Sequence, residues 1–160
     1  MNCAQASLNL YKARRYDEAI KQLERTLELS PNYVNVNIFL FETYAAKGAY
    51  AQAVAAHIRQ KTLDGGEPAA ELEKLQKEFD KNGWQGFLKQ RIRYIESGAT
   101  QYDDNIYAMA GERDKAMRQL EKAFDERNED MTWLLVAPRY DNLRADARFQ
   151  DLVKRVGFAD

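Results

Sequence analysis

The chain has 160 residues, with Lys+Arg 24 against Asp+Glu 25 and a formal net charge of -1. A chain of this length forms one domain or one short repeat array, and it can bury a substantial core without metal or disulfide. The charge balance lacks the basic excess that a general nucleic-acid binder needs, and no apolar run approaches the ~20 residues of a membrane-spanning helix.

Cys3 is the single cysteine, which excludes an intrachain disulfide and fits a reducing compartment. The first residues, MNCAQASLNLYKARRYDE, carry no signal-peptide pattern and begin inside a helical one. A piece of a longer protein is expected, cytoplasmic or, as the alternative, periplasmic.

Apolar residues at helical spacing predict a first helix over 3–13, with Arg14-Arg15 as the break. Ala19, Ile20, Leu23 and Leu27 form the stripe of a second helix over 16–29, with Asp17 and Glu18 in its first turn and Ser30-Pro31-Asn32 as its stop. Val36, Phe39, Leu40, Thr43 and Tyr44 give a third helix ending at Gly48. Tyr50, Ala53, Val54 and Ile58 give a fourth to about Leu63, and Asp64-Gly65-Gly66 breaks the chain. Pro68 suits the first turn of a fifth helix over 68–81, stopped by Asn82-Gly83. A sixth covers 84–97, a seventh 100–110 up to Gly111, and an eighth 113–127 with Ala116, Met117, Leu120, Ala123 and Phe124 inward. In the tail, Thr132 to Val136 reads as a short helical turn and Arg139 to Leu143 as a loop or single turn. Asp146 caps a last helix over 146–156. No segment alternates with period two, so the class is all-α.

Laid over one another, these helices repeat. The aromatic opening each second helix falls at Tyr16, Tyr50 and Trp84, two steps of 34 residues, and the break position gives Arg14, Gly48 and Asn82. The small residue three places after the aromatic is Ala19, then Ala53, then Phe87. A fourth copy, Tyr107, Gly111, Ala116, Leu120 and Ala123, fits once five residues are lost. Two helices of three to four turns and two tight turns consume about 34 residues, and one pair alone cannot bury its apolar faces.

Tyr44, Gly48, Tyr50 and Ala53, with Ala19, Leu23 and Pro31 and with the fourth copy above, resemble the tetratricopeptide repeat (TPR) family over roughly 3–127. The third pair departs, with Glu78 and Phe87 in place of the expected aromatic and Ala. The resemblance implies an α-solenoid of antiparallel helix pairs, a TPR-like right-handed superhelix. Its pairs are expected at 1–31, 34–65, 68–97 (degenerate) and 100–128, with 129–160 as a C-terminal capping segment. Pro138, Asp141, Leu143, Arg144, Asp146, Arg148, Phe149 and Leu152 further resemble the closing segment of bacterial multidomain regulators whose TPR arrays follow a DNA-binding, kinase or cyclase-like domain.

No catalytic constellation is found: there is no Gly-x-Ser-x-Gly, P-loop or Gly-x-Gly-x-x-Gly. His57, the only histidine, sits where Leu23 sits one repeat earlier and is expected as a satisfied structural residue rather than a metal ligand. Cys3 lacks a catalytic partner. Asp103-Asp104 reads as a solvated helix start, and Lys89 to Tyr94 as a solvated helix face. The tail's Arg139, Arg144 and Arg148 with Asp141, Asp146 and Asp151 read as ion pairs and caps.

In the family the first helices of each pair line a concave face that binds extended peptides or a partner helix. Carried across, the groove positions include Ala4, Leu8, Tyr11, Asn35, Ile38, Glu42, Ala45, Leu72, Gln76, Phe79, Gln101, Asn105 and Met109. From these Leu8, Tyr11, Asn35, Ile38, Glu42, Gln76, Gln101 and Asn105 are taken as the candidate partner-binding set. Ala4 and Leu8 stand where a carboxylate clamp needs Lys and Asn, so none is expected. The resulting expectation is a non-enzymatic protein- or peptide-binding scaffold without cofactor, metal, membrane or nucleic-acid contact. Its open first end favours a homodimer. The alternative is a regulatory or sensor domain excised from a transcription regulator or kinase.

Overall fold

The structure, a computed structural model, describes residues 3–100 and 105–157. These residues are helical with no strand, and they divide into two compact units, residues 1–91 and 92–160. In the first unit lie α1 (Cys3–Lys12), α2 (Tyr16–Leu29), α3 (Val34–Lys47), α4 (Tyr50–Asp64) and most of α5 (Ala69–Glu96). The second unit holds α6 (Ile106–Ala110), α7 (Arg113–Asp125), two 3-10 segments, Glu129–Trp133 and Pro138–Leu143, and α8 (Ala147–Val156).

Within the first unit α1 packs against α2, α2 against α3, and α3 against α4, while α1 also touches α3. The apolar stripe read from the sequence is the core: Ala19, Ile20, Leu23, Val36, Leu40, Ala53 and Val54 are buried, joined by Leu72, Leu75, Phe87 and Leu88 of α5. In the second unit α6 packs against α7 and the 3-10 segment Pro138–Leu143, and α7 against α8. Ile106, Ala116, Met117, Leu120, Leu134, Tyr140, Phe149 and Leu152 form its core.

Three turns close identically. At the end of α1, Arg14 N–H donates to the Tyr11 carbonyl and Arg15 N–H to that of Leu10. Gly48 and Ala49 bond to Ala45 and Tyr44 in the same way, and Gly111 and Glu112 to Ala108 and Tyr107. This is the Schellman closure, which satisfies the last carbonyls of a helix and needs a left-handed residue. Arg14 (φ 59), Gly48 (φ 84) and Gly111 (φ 75) supply it. The next residue is also held alike, at φ/ψ of -87/63, -84/65 and -76/67 for Arg15, Ala49 and Glu112. Each then accepts, through its carbonyl, the N–H of the small residue on the following helix: Ala19, Ala53 or Ala116.

The third turn differs. Its positive-φ residue is Gly83 (φ 63, ψ -155), one place after the Asn82 that the register assigns. It breaks α5 into two arms, as the sequence anticipates, in a conformation open essentially to glycine alone. A Cβ on Gly86 would lie 2.4 Å from the Glu78 carbonyl oxygen and 2.5 Å from Asn82 Cβ. Gly86 is the small residue at this turn, and the next position holds the large, buried Phe87.

Of the helix expected over 100–110, the described residues form α6 from Ile106 onward. Asn105 is left-handed (φ 59, ψ 24), which stops a right-handed helix from running through it; Gln101, Tyr102, Asp103 and Asp104 lie outside the described residues. The helical turn expected over Thr132–Val136 is the 3-10 segment Glu129–Trp133 followed by a turn, and the loop expected over Arg139–Leu143 is itself 3-10. The last helix is capped by Asp146, whose carboxylate accepts the Arg148 N–H at 2.9 Å.

Because nothing crowds a Cβ at Gly48, Gly48→Ala isolates the backbone cost and should lose about 1 kcal/mol in chemical denaturation. Arg14→Gly should gain up to about 1 kcal/mol by relieving the same strain. Gly86→Ala forces two arms apart and should lose about 1–3 kcal/mol.

Candidate functional site

The eight candidate groove residues do not share one environment. On α1, Leu8 is half-buried and Tyr11 is buried. On α3, Asn35 is exposed, Ile38 half-buried and Glu42 buried at 7% exposure. On α5, Gln76 is exposed and donates to Asp80 at 2.8 Å. Half-buried Ala45 and Phe79 extend the same face positions, and Leu72 is buried. Asn105 belongs to the second unit, where its side-chain carbonyl accepts the Tyr140 hydroxyl at 3.0 Å. Gln101 lies outside the described residues, as do the side chains of Cys3 and Ala4. In the first unit Asn35 and Gln76 are thus exposed amides, and Leu8 and Ile38 are partly covered apolar side chains.

A second cluster was not singled out by the sequence reading. Arg91, expected on a solvated face, is fully buried. The register explains the correction: Leu23, His57 and Arg91 are 34 residues apart, so Arg91 occupies a core position. Its guanidinium Nη1 donates to Glu67 Oε2 at 2.6 Å, and Lys61 Nζ lies 3.6 Å from Glu67 Oε1. All three side chains are at most 6% exposed. Gln90 donates to Glu71 at 2.7 Å, and Lys74 meets the other oxygen of Glu71 at 3.3 Å.

His57 lies at the apolar edge of this cluster. Its ring centroid is 5.0 Å from that of Phe41 and 5.4 Å from that of Phe87, edge-on to the latter. It is buried as expected, but it is not a satisfied residue: neither ring nitrogen has a hydrogen-bond partner among the described residues. Burial first, and then the charges of Arg91 and Lys61, push its pKa well below the ordinary 6.5, so it is neutral.

In the tail, the charged residues of the closing pattern pair with one another and with residues of α7. Arg148 bridges Asp146 and Asp114 at 2.7 and 2.9 Å and lowers the Asp146 carboxyl to about 2. Arg144 pairs with Asp141 at 2.9 Å and reaches the Leu134 and Ala137 carbonyls. Arg155 pairs with Glu121 and Asp151 and lies over the Phe124 ring. Arg139 rests on Trp133 and Tyr140. Caps and ion pairs account for this alternation of sign.

The tetratricopeptide repeat family model matches residues 10–60, which span α2, α3 and most of α4. No curated protein and no solved structure matches the chain. Repeats of this family generally mediate protein–protein interaction. Among the described residues no helix is long and apolar enough to cross a membrane.

Removing one member of a buried pair strands the other, so Glu67→Gln should destabilise the fold by about 3–5 kcal/mol in denaturant titration. The unfolded chain takes up a proton at His57 near pH 6.5 and the folded chain resists it. Stability should therefore be full above pH 6.5 and fall below it, approaching about 1.4 kcal/mol per unit. His57→Leu, which restores the residue of the first copy, should flatten that dependence between pH 7.5 and 5.5.

Proposed function

We propose that the chain is a non-enzymatic binding module, a short α-solenoid of antiparallel helix pairs closed by the tail, that holds a protein or peptide on the concave face of its first helices. Within the first unit that face is built from Leu8, Asn35, Ile38 and Gln76. Leu8 and Ile38 form the pocketed strip, and the amides of Asn35 and Gln76 meet the backbone of an extended segment.

The observation that carries the reading is the turn closure recurring at Arg14, Gly48 and Gly111, each followed by a buried alanine. It repeats a backbone geometry and not merely a residue pattern. Two of those turns, at Arg14 and Gly48, lie within residues 10–60, which the tetratricopeptide repeat family model matches, and this supports the reading. Tyr11 and Glu42 serve as floor beneath the face, so they are unsuited to mutational tests of binding; Asn35 and Gln76 suit them well.

Random peptides displayed on phage and selected against the whole chain should yield ligands whose affinity, measured calorimetrically, falls about tenfold in Asn35→Ala with Gln76→Ala. Ile38→Glu should abolish binding while the circular dichroism stays helical. Arg25→Ala, on the exposed side of α2, should leave affinity unchanged. Ligands that lose affinity with Arg25→Ala but not with the face variants would overturn the reading.

A further inference from the structure

The second unit contains a cavity of about 120 Å³ bordered by α6, α7, the 3-10 segment Glu129–Trp133 and Tyr140 of the following segment. Its floor is apolar and buried: Ala108, Ala116, Leu120 and Met131, with Tyr140 beside them. Its remaining walls are half-buried or exposed: Asn105, Gln119, Ala123 and Asn128. None of the lining side chains is charged.

The cavity exists for a local reason. Three of its walls are alanines, and the chain beyond α7 covers them with a 3-10 segment and not with a full helix. The closure after α7 turns at Arg127 (φ 56), with Asn128 N–H donating to the Ala123 carbonyl, and this fixes Asn128 at the mouth. Asn105 is equally fixed. Its side-chain carbonyl accepts the Tyr140 hydroxyl at 3.0 Å, which assigns the orientation of its amide. Gln119 makes no side-chain hydrogen bond among the described residues and retains both donor and acceptor for something else.

We propose that this cavity is a binding site for a small uncharged ligand with a branched or ring-shaped apolar body and an amide or hydroxyl end. The volume sets the size, since a dry cavity of ~150 Å³ takes a benzene ring. The buried floor receives the apolar body. The amide of Gln119 meets the polar end, and the absence of a lining charge disfavours a carboxylate or an ammonium, which would be desolvated without a counter-ion. The chemistry is shared by a free small molecule and by a leucine-like side chain on a polypeptide, and the site lies in a different unit from the first-helix face proposed above.

The test is an NMR titration of the full chain with isovaleramide, with isovalerate as its charged isostere. Isovaleramide should give saturable shifts at Ala108, Gln119, Ala123 and Asn128 at millimolar concentration. Isovalerate should bind at least about tenfold more weakly. Ala123→Leu should fill the cavity and abolish the shifts while the thermal midpoint holds or rises. Gln119→Ala should weaken binding several-fold without moving the midpoint. N-acetyl-leucinamide separates the two sources. Affinity matching isovaleramide assigns the site to a side chain on a backbone, and its failure to bind assigns it to a free molecule. The absence of saturable shifts with isovaleramide, equal binding of isovalerate, or wild-type shifts in Ala123→Leu would overturn the proposal.

Discussion

Burial of the Arg91 guanidinium constrains the first unit more than any other single contact. A cation at zero exposure is tolerable only with a carboxylate in hydrogen-bonding reach, and Glu67 is that carboxylate. Glu67 lies in the short link between α4 and α5, so the pair ties the second arm of α5 to the exit from α4. Lys61 beside the same carboxylate, and the uncharged His57 next to the two cations, follow from that placement. Around them Phe41, Trp84 and Phe87 supply the apolar wall, with Trp84 stacked on both Tyr50 and Phe87.

The turns obey a different constraint. A two- or three-residue link between helices must satisfy the last carbonyls of one and start the next, and one backbone solution does both. Where glycine stands in it the solution is free of side-chain strain; Arg14 adopts it with a Cβ in the left-handed region. None of α2, α4 and α7 has a side-chain cap, so the recurring closure and the acidic residues Asp17, Glu18 and Asp114 in first turns carry those ends.

Helix positions were legible because period and breaks agree in this chain: an apolar stripe ends at Gly48, Gly65 or Gly111, and the backbone turns there. The segment before α6 was less legible. Asn105 is tolerant of left-handed geometry, and nothing in its neighbours marks that it uses it. Of the candidate face, Asn35 and Gln76 reached the surface, while Tyr11 and Glu42 went inward because face positions on a helix and the contact line with the next helix overlap. For Arg91 composition points the wrong way. Lys89 to Tyr94 looks like a basic surface stretch, yet counting 34 from His57 places the arginine inside. The register held the information, and the chemistry of the residue argued against it. The cavity near Gln119 had no sequence signal, since it depends on how tightly a 3-10 segment covers three alanines.

The buried ion pair bears on whether the helix pairs are interchangeable. In consensus repeat arrays a pair can be duplicated or moved because every junction presents the same core residues. Here the equivalent position reads Leu23, His57, Arg91 and Leu120. A second copy of residues 50–64 placed over 84–98 would set histidine where Arg91 stands, and Glu67 would lose its buried hydrogen-bonding cation. The junction thus works as a key cut for one neighbour, and the order of the pairs is written into the core.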